Sequence, residues 1–314
     1  MTSNASGSGA RPLVTAAPLA DDALPRGGIG RGPGRVVDYL GLLPFAAFVS
    51  LFLLWPTVLV VVGAFEAPEG GWTLDNIAQA SRGTYLETFV TSIVLSAITA
   101  VLGAVFGGLL AWAISVGRRD ALLRRLVLAG SGTLAQFGGV MLAFAFLATF
   151  GFNGLVTLFL QGPLGVDTFA WGAWIYELPG LVLVYTYFQI PLMVIVFLPA
   201  VDGLRPQWRE ACESLGGSAW AYWRHVGLPI LWPSFLGAML LLFANAFSAY
   251  ATAKALISQA SPLVPLRIGT FLTSEIVLGQ ANVGKALAFG MIVIVAVTMT
   301  VYALLQRRTS RWLR

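Results

Sequence analysis

Apolar residues in this chain stand in long unbroken runs rather than in the short alternations of a soluble core. Six such runs lie at about residues 41–64, 88–116, 126–150, 178–200, 230–253 and 286–306. Each meets the requirement of roughly 20 apolar residues for a helix that crosses the hydrocarbon of a bilayer. Lipid offers no partner to a backbone N–H or C=O, so each run must bond within itself, and the pattern predicts six transmembrane helices. Residues 1–38 show no periodicity and are rich in Gly, Ala, Pro and Ser, which predicts a disordered cytoplasmic tail without the apolar core of a signal peptide. Residues 39–314 are then one all-α transmembrane domain.

Composition supports the same solvent. The chain is 57% hydrophobic and 11% charged with a mean hydropathy of +0.81, against about 25% charged residues in soluble domains. Its basic excess, 19 Lys+Arg to 14 Asp+Glu, falls in short clusters between the apolar runs. That placement points to membrane topology and removes the case for a nucleic-acid partner. An inside N-terminus puts arginines of the tail (Arg11 to Arg35), of the loop after span two (Arg118, Arg119, Arg124, Arg125), of the loop after span four (Arg205, Arg209, Arg224) and of the C-terminus (Arg307 to Arg314) on one side. Only Arg82, Arg267 and Lys285 fall outside, with Lys254 near the outer end of span five. Positive residues favour the cytoplasmic side, so both termini are expected inside.

Candidate chemistry is sparse. Cys212 is alone, which excludes an internal disulfide, and His225 is the lone histidine, which argues against a His/Cys metal site or His-based catalysis. A serine hydrolase working within the bilayer would need its histidine in a span, and an intramembrane aspartyl enzyme would need two aspartates there; neither is present. A secondary transporter would be expected to carry intramembrane acids and repeated halves, and the sequence has neither. A membrane scaffold is compatible with the composition. Gly279-Gln280-Ala281-Asn282-Val283-Gly284-Lys285 matches the opening of a phosphate-binding loop, but Ala286 stands where Ser or Thr would hold magnesium, and charge topology puts the segment outside.

Polar groups in spans mark candidate path residues, because they face protein or water rather than lipid. Span four offers Gln189 and Tyr187 beside Tyr185, and span five offers Asn245 and Ser248 beside Tyr250 and Thr252. Asn245 and Ser248 are three apart and share a helix face; either substrate contact or interhelical hydrogen bonding fits them. Pro56 and Pro191 inside spans predict kinks. Gly103, Gly107 and Gly108 with Ala100, Ala104 and Ala111 give span two a small-residue face, suited to close packing within the bundle or to a subunit contact.

The inner loop 201–229 is the informative one. Pro206 suits a first helical position, Gly216-Gly217 a helix stop and Ser218 an N-cap, so two short helices are expected, the second closed by Pro229 before span five. Trp208, Trp220, Tyr222 and Trp223 alternate with Arg209, Glu210, Glu213 and Arg224. Such a mixture suits a protein interface or the lipid headgroup level.

Glu210-Ala211-Cys212, three residues, Gly216, nine residues and Val226-Gly227-Leu228-Pro229 resemble the EAA loop of binding-protein-dependent ABC permeases of the type I importer class. Cys212 replaces the second Ala of the family pattern and Val226 its Ile. Thr73-Leu74-Asp75-Asn76 and Gly151-Phe152-Asn153-Gly154-Leu155 are similar to segments of spermidine/putrescine-type permeases. The resemblance implies the type I permease fold with six spans in the bacterial inner membrane. It implies that Glu210, Ala211, Cys212, Gly216, Val226, Leu228 and Pro229 couple the chain to a cytoplasmic ATPase dimer. It further implies a second, different permease and an extracytoplasmic binding protein. No cofactor is expected on this chain, since ATP and magnesium would bind the partner ATPase. Polyamine is the substrate the resemblance favours, with ferric iron, sulfate, phosphonate and thiamine as alternatives.

Overall fold

The computed structural model describes residues 34–67, 70–117, 122–170, 172–257, 262–273 and 281–310. Most of the expected tail, 1–33, lies outside them, as do Arg118, Arg119, Arg311 and Arg314. Among the described residues the structure is helical apart from an isolated antiparallel bridge between Glu66 and Trp72. The chain divides into two units at Leu54–Trp55.

The first unit holds helix α1 (Gly34–Val49) and a π turn at Ser50–Leu54. Helix therefore starts within the last residues of the expected tail. From Leu42 onward its large side chains are exposed, as lipid-facing residues should be, and the Phe48 and Phe52 rings meet at a tilt, 5.0 Å between ring centres. Pro44 lies inside α1.

The second unit opens with α2 (Trp55–Ala64), which carries Pro56 in its first turn. The outer loop then carries a short helix α3 (Asp75–Ala80). Its start is built by Thr73, whose Oγ1 donates to the Asp75 carboxylate and accepts from the Asp75 N–H. Buried Asn76 donates to the carbonyls of Ala64 and Glu66 and so ties the loop to the end of α2.

Helices α4 (Gly83–Val116) and α8 (Leu178–Asp202) form the centre, with α11 (Leu228–Phe247) packed on both. Within the spanning windows 56% of α8 and 44% of α4 residues are buried, against 11% for α14 (Ala281–Ser310), which sits at the edge. The small face of α4 is what allows the contact. A Cβ added at Gly103 would lie 2.6 Å from the Gln189 Cβ, and one at Gly107 would lie 2.5 Å from the Met193 Cβ and 2.6 Å from the Ile190 carbonyl oxygen. Of the two readings of that face, close packing within the bundle is the one observed. One side-chain layer (Ala100, Ala104, Met193, Val194, Phe197, Leu242) fills the inner half, and another (Leu95, Leu142, Leu181, Val184, Tyr185, Ala253) the outer half.

Two expected spans are not single helices. The run predicted at 126–150 breaks into α5 (Leu122–Gln136) and α6 (Gly139–Phe150), and the path continues past Gly151–Gly154 into α7 (Leu155–Gln161). Gly139 takes φ +70°, a left-handed conformation that glycine enters without steric cost. The run predicted at 230–253 ends as α11 at Phe247 and resumes as α12 (Tyr250–Leu256). A hydropathy run counts apolar residues and is blind to such breaks. The prolines, by contrast, do not interrupt: α8 runs continuously through Pro191 and Pro199. Six candidate spans result, Leu42–Ala64, Gly83–Val116, Gly139–Gln161, Leu178–Asp202, Ala219–Phe247 and Ala281–Arg307. This is a multi-pass membrane protein, and an even number of spans returns both ends to one side.

Between spans five and six lies α13 (Val264–Thr273), whose Val264 N–H donates to buried Ser92 Oγ of α4 at 2.9 Å. Residues 281–285 of the apparent phosphate loop belong to the first turns of α14; Gly279 and Gln280 lie outside the described residues. Gly284 meets Phe271, and Lys285 lies over Gly63 and donates to Asn282 Oδ1, so these two residues serve helix packing.

Gly107→Ala is expected to cost about 1–3 kcal/mol by overpacking. Gly130→Ala, where a Cβ meets open space, should be neutral or gain up to about 1 kcal/mol. Thermal unfolding of the two variants in one detergent checks the difference.

Candidate functional site

The inner loop begins at Arg205, in an extended conformation, and turns at once into α9 (Pro206–Ser214) with Pro206 in its first turn. Glu210 and Ala211 are exposed, Cys212 is half-buried, and Arg209 donates to Glu213 one turn on at 2.8 Å. That hydrogen bond, and then the carboxylate's charge, pushes the Arg209 guanidinium further above its ordinary value. The pair is fully hydrated, so it orders the surface of α9 more than it stabilises the fold.

The stop is a Schellman turn. The Gly216 N–H donates to the Glu213 carbonyl and the Gly217 N–H to the Cys212 carbonyl, which satisfies two carbonyls that the end of the helix leaves free. Gly216 holds φ +78° with open space where a Cβ would be, while a Cβ at Gly217 would lie 2.6 Å from Cys212 Sγ. Each glycine of the pair is therefore required for a different reason, backbone conformation at Gly216 and space at Gly217. Leu215 is 89% exposed at the tip. Ser218 then caps α10 (Ala219–Tyr222), its side chain accepting from the Ala221 N–H at 3.2 Å.

Past α10 the chain departs from expectation. Pro229 does not close a separate helix. Residues 219–247 form one continuous helical path, with a π turn at Trp223–Gly227 in which the Leu228 N–H reaches back to the Trp223 carbonyl. A proline in a helix has no N–H to donate and crowds the carbonyl four residues earlier, here His225. The wider turn takes up that mismatch. Gly227 is buried because a Cβ there would lie 2.7 Å from the Trp223 ring, and that ring meets Trp112 of α4 edge-on at 6.2 Å. Val226 is half-buried, whereas Leu228 is exposed and, with Trp220 and Trp232, lines an apolar groove on the membrane side. The loop is thus split: Glu210, Ala211 and Gly216 are exposed on α9 and its turn, whereas Gly227 is buried where the chain enters the bundle and Leu228 and Pro229 are exposed. His225 has its Nδ1 3.0 Å from the Ala221 carbonyl, in the first turns of the 219–247 helical path.

One contact was absent from the sequence expectations. Arg124 of α5 makes a two-pronged ion pair with Asp202 at the end of α8, one arm measuring 3.2 Å. The guanidinium is 11% exposed. It fixes the point where the loop leaves the bundle. Topology counting treats Arg124 as one more inside charge and carries no signal of its partner.

The candidate path residues are not brought together. Gln189 is completely buried against Gly103, with neither amide atom hydrogen-bonded. Tyr187 points elsewhere, edge-on to Phe146 of α6 at 5.4 Å. Asn245 is exposed, and the Ser248 hydroxyl donates to the carbonyls of Ala244 and Asn245 in its own helix. What meets instead is the pair of broken spans. Helix α6 packs on α12, and a Cβ at Gly139 would lie 3.7 Å from the Ala251 Cβ. Tyr185, buried in α8, donates its hydroxyl to the Ala249 carbonyl at 2.6 Å, a carbonyl that the break in span five frees. Discontinuous helices line the solute sites of several transporter folds.

Comparison with solved structures defines the fold. The chain superposes on a chain of a bacterial ABC transporter for alginate bound to its periplasmic protein with a TM-score of 0.66 and 16% identity, over 89% of this chain and 96% of that one. A second alginate transporter structure gives 0.64 and 15%, over 88% and 96%. The fold is that of an ABC importer permease. In sequence, the sulfate transport system permease protein CysW of Synechococcus elongatus is 25% identical over 88% of this chain and 94% of its own length. CysT of Escherichia coli is 26% identical over 65% and 69%. No family model matches the chain.

Tyr185→Phe leaves the Ala249 carbonyl without its partner and is expected to cost about 1–3 kcal/mol. Asp202→Ala, which strands the Arg124 guanidinium, should cost a similar or larger amount. Unfolding midpoints in detergent read both, and the double variant Arg124→Ala with Asp202→Ala should recover part of the second loss.

Proposed function

We propose that this chain is the permease subunit of an ATP-driven importer in the bacterial inner membrane, carrying a small tetrahedral oxyanion of the sulfate class. The observation that carries the subunit assignment is the built turn at Gly216. A rigid, capped helix presents Glu210 and Ala211 outward on the face that the charge count assigns to the cytoplasm, directly before span five. A cytoplasmic ATPase dimer would receive this helix, and ATP would bind there, because residues 281–285 here are packed helix. Closure of the ATPases would draw two such loops together, this one and that of a second permease, and rock the bundles so that the path faces outward. An external binding protein would then deliver the anion. Coupling requires that the loop bind the ATPase unequally in the two states, since equal affinity would shift nothing.

Sulfate is supported over polyamine by two considerations. The sequence relatives are sulfate permeases by name, and none of those found is a polyamine permease. The charge pattern also disfavours a polycation. Among the described residues the spans carry carboxylates only toward their ends, Glu87 and Asp202, and the outer mouth presents Arg82 and Arg267.

Affinity purification of the full chain from its native membrane should recover a P-loop ATPase. That recovery should be lost in the double variant Glu210→Lys with Gly216→Val while the chain itself stays folded. A well-folded chain that never brings an ATPase under several mild detergents would overturn the assignment. In proteoliposomes containing the recovered partners, ATP-dependent uptake of radiolabelled sulfate should exceed that of putrescine; the reverse order would restore the polyamine reading.

A further inference from the structure

At the outer face, Asp75, Gln79 and Arg82 from α3 and its exit, Thr84 and Tyr85 from the start of α4, and Arg267 from α13 surround an open cavity of about 690 Å³. Two arginines from segments distant in sequence, Arg82 and Arg267, both line it. The Asp75 carboxylate is the lone acid in its wall, and it accepts a hydrogen bond from Thr73. Neither arginine makes an ion pair among the described residues. Arg267 Nε is buried and has no hydrogen-bond partner. That nitrogen is closed to the cavity, so it falls to the other N–H groups of the Arg267 guanidinium to meet an acceptor there.

The mount is rigid. Besides the Ser92–Val264 bond, a Cβ at Gly269 of α13 would lie 2.8 Å from the Tyr250 hydroxyl, at the first residue of α12. The arginine therefore sits on a helix pressed against the outer half of broken span five. Planar guanidinium forks match the oxygens of tetrahedral oxyanions. A positive, open cleft also raises the local concentration of an arriving anion.

We propose that Arg82 and Arg267 form a receiving site for a sulfate-type oxyanion, occupied between release from the binding protein and entry into the path. This rests on the oxyanion reading above. The cavity is far larger than one bare tetrahedral anion, so the ion is held with part of its hydration and weakly, as a handover site requires. The same donors could instead grip a carboxylate on the binding protein, and the test separates the two.

The intact complex with its ATPase and second permease, in nanodiscs and without binding protein, is titrated with sodium sulfate against sodium chloride at matched ionic strength. Equilibrium binding of radiolabelled sulfate and the unfolding midpoint are read. Saturable sulfate binding is expected, weakened about tenfold in Arg267→Gln and in Arg82→Gln and less in Arg267→Lys. If Arg267→Gln fails to assemble, exposed Arg82→Gln carries the test alone. Unchanged binding in the variants, or no binding to the wild-type complex, overturns the site. So does a parallel titration with added binding protein in sulfate-free buffer in which the variants lose affinity for that protein while their sulfate binding is unchanged. ATP-dependent sulfate uptake by the wild-type complex with its binding protein is measured in parallel: uptake without this binding overturns the site alone, and loss of uptake overturns the oxyanion reading.

Discussion

The close approach of α4 to α8 is the contact on which the rest of the bundle depends. In lipid, apolar side chains gain nothing by leaving the solvent for a neighbouring helix, so association rests on van der Waals fit and on polar groups finding partners. Gly103 and Gly107 let the α8 backbone come near enough for that fit, and Gln189, Met193 and the Ile190 carbonyl occupy the space a side chain would take. With α8 seated this way, Tyr185 reaches Ala249 and Asp202 reaches Arg124. The first bond holds the joint of span five, and the second holds the root of the inner loop. Both ends of α8 are thus tied to the parts that a transporter has to move.

The inner loop and the broken spans are different solutions to one need, a stiff element that ends at a chosen place. At the loop, the Schellman turn and the Ser218 cap satisfy the backbone groups of α9 and α10 without burying them, so the helix can stand exposed. In spans three and five the freed groups lie inside the protein. They are tolerated there because glycine supplies the left-handed step at Gly139, Ser248 closes the end of α11, and Tyr185 covers Ala249. Irregular backbone at membrane depth survives only where protein or a water-filled path surrounds it. The pairing of α6 with α12 places two such breaks side by side.

Much of the loop was legible because its signals are local. Pro206 at a helix start, Gly216 at φ above zero and Ser218 as a cap each follow from the chemistry of one residue and its near neighbours, and each is observed. Pro229 was misread for the same reason. A proline before an apolar run reads as a boundary, but α4 and Trp112 hold Trp223 in place and the helix passes through on a π turn. The candidate path residues rest on a less local signal. Gln189, Tyr187, Asn245 and Ser248 were chosen for polarity, which says that a side chain wants a partner and not where the partner lies. Ser248 finds it in its own helix, and Tyr185, set beside them as a span polar group, turns out to hold a backbone carbonyl.

By itself the sequence determined the solvent, the number of spans and the side on which the termini lie, because these depend on run length, apolarity and the count of arginines. It also determined the turn of the inner loop, whose hydrogen bonds close within a few residues. Tertiary structure alone decided where spans three and five break, which small residues face a neighbour, and which of the charges meet. Those outcomes depend on distances between segments far apart in the chain, as between Arg82 and Arg267 at the outer cleft or Gly63 and Lys285. No local pattern records such a distance; it exists only once the helices have packed.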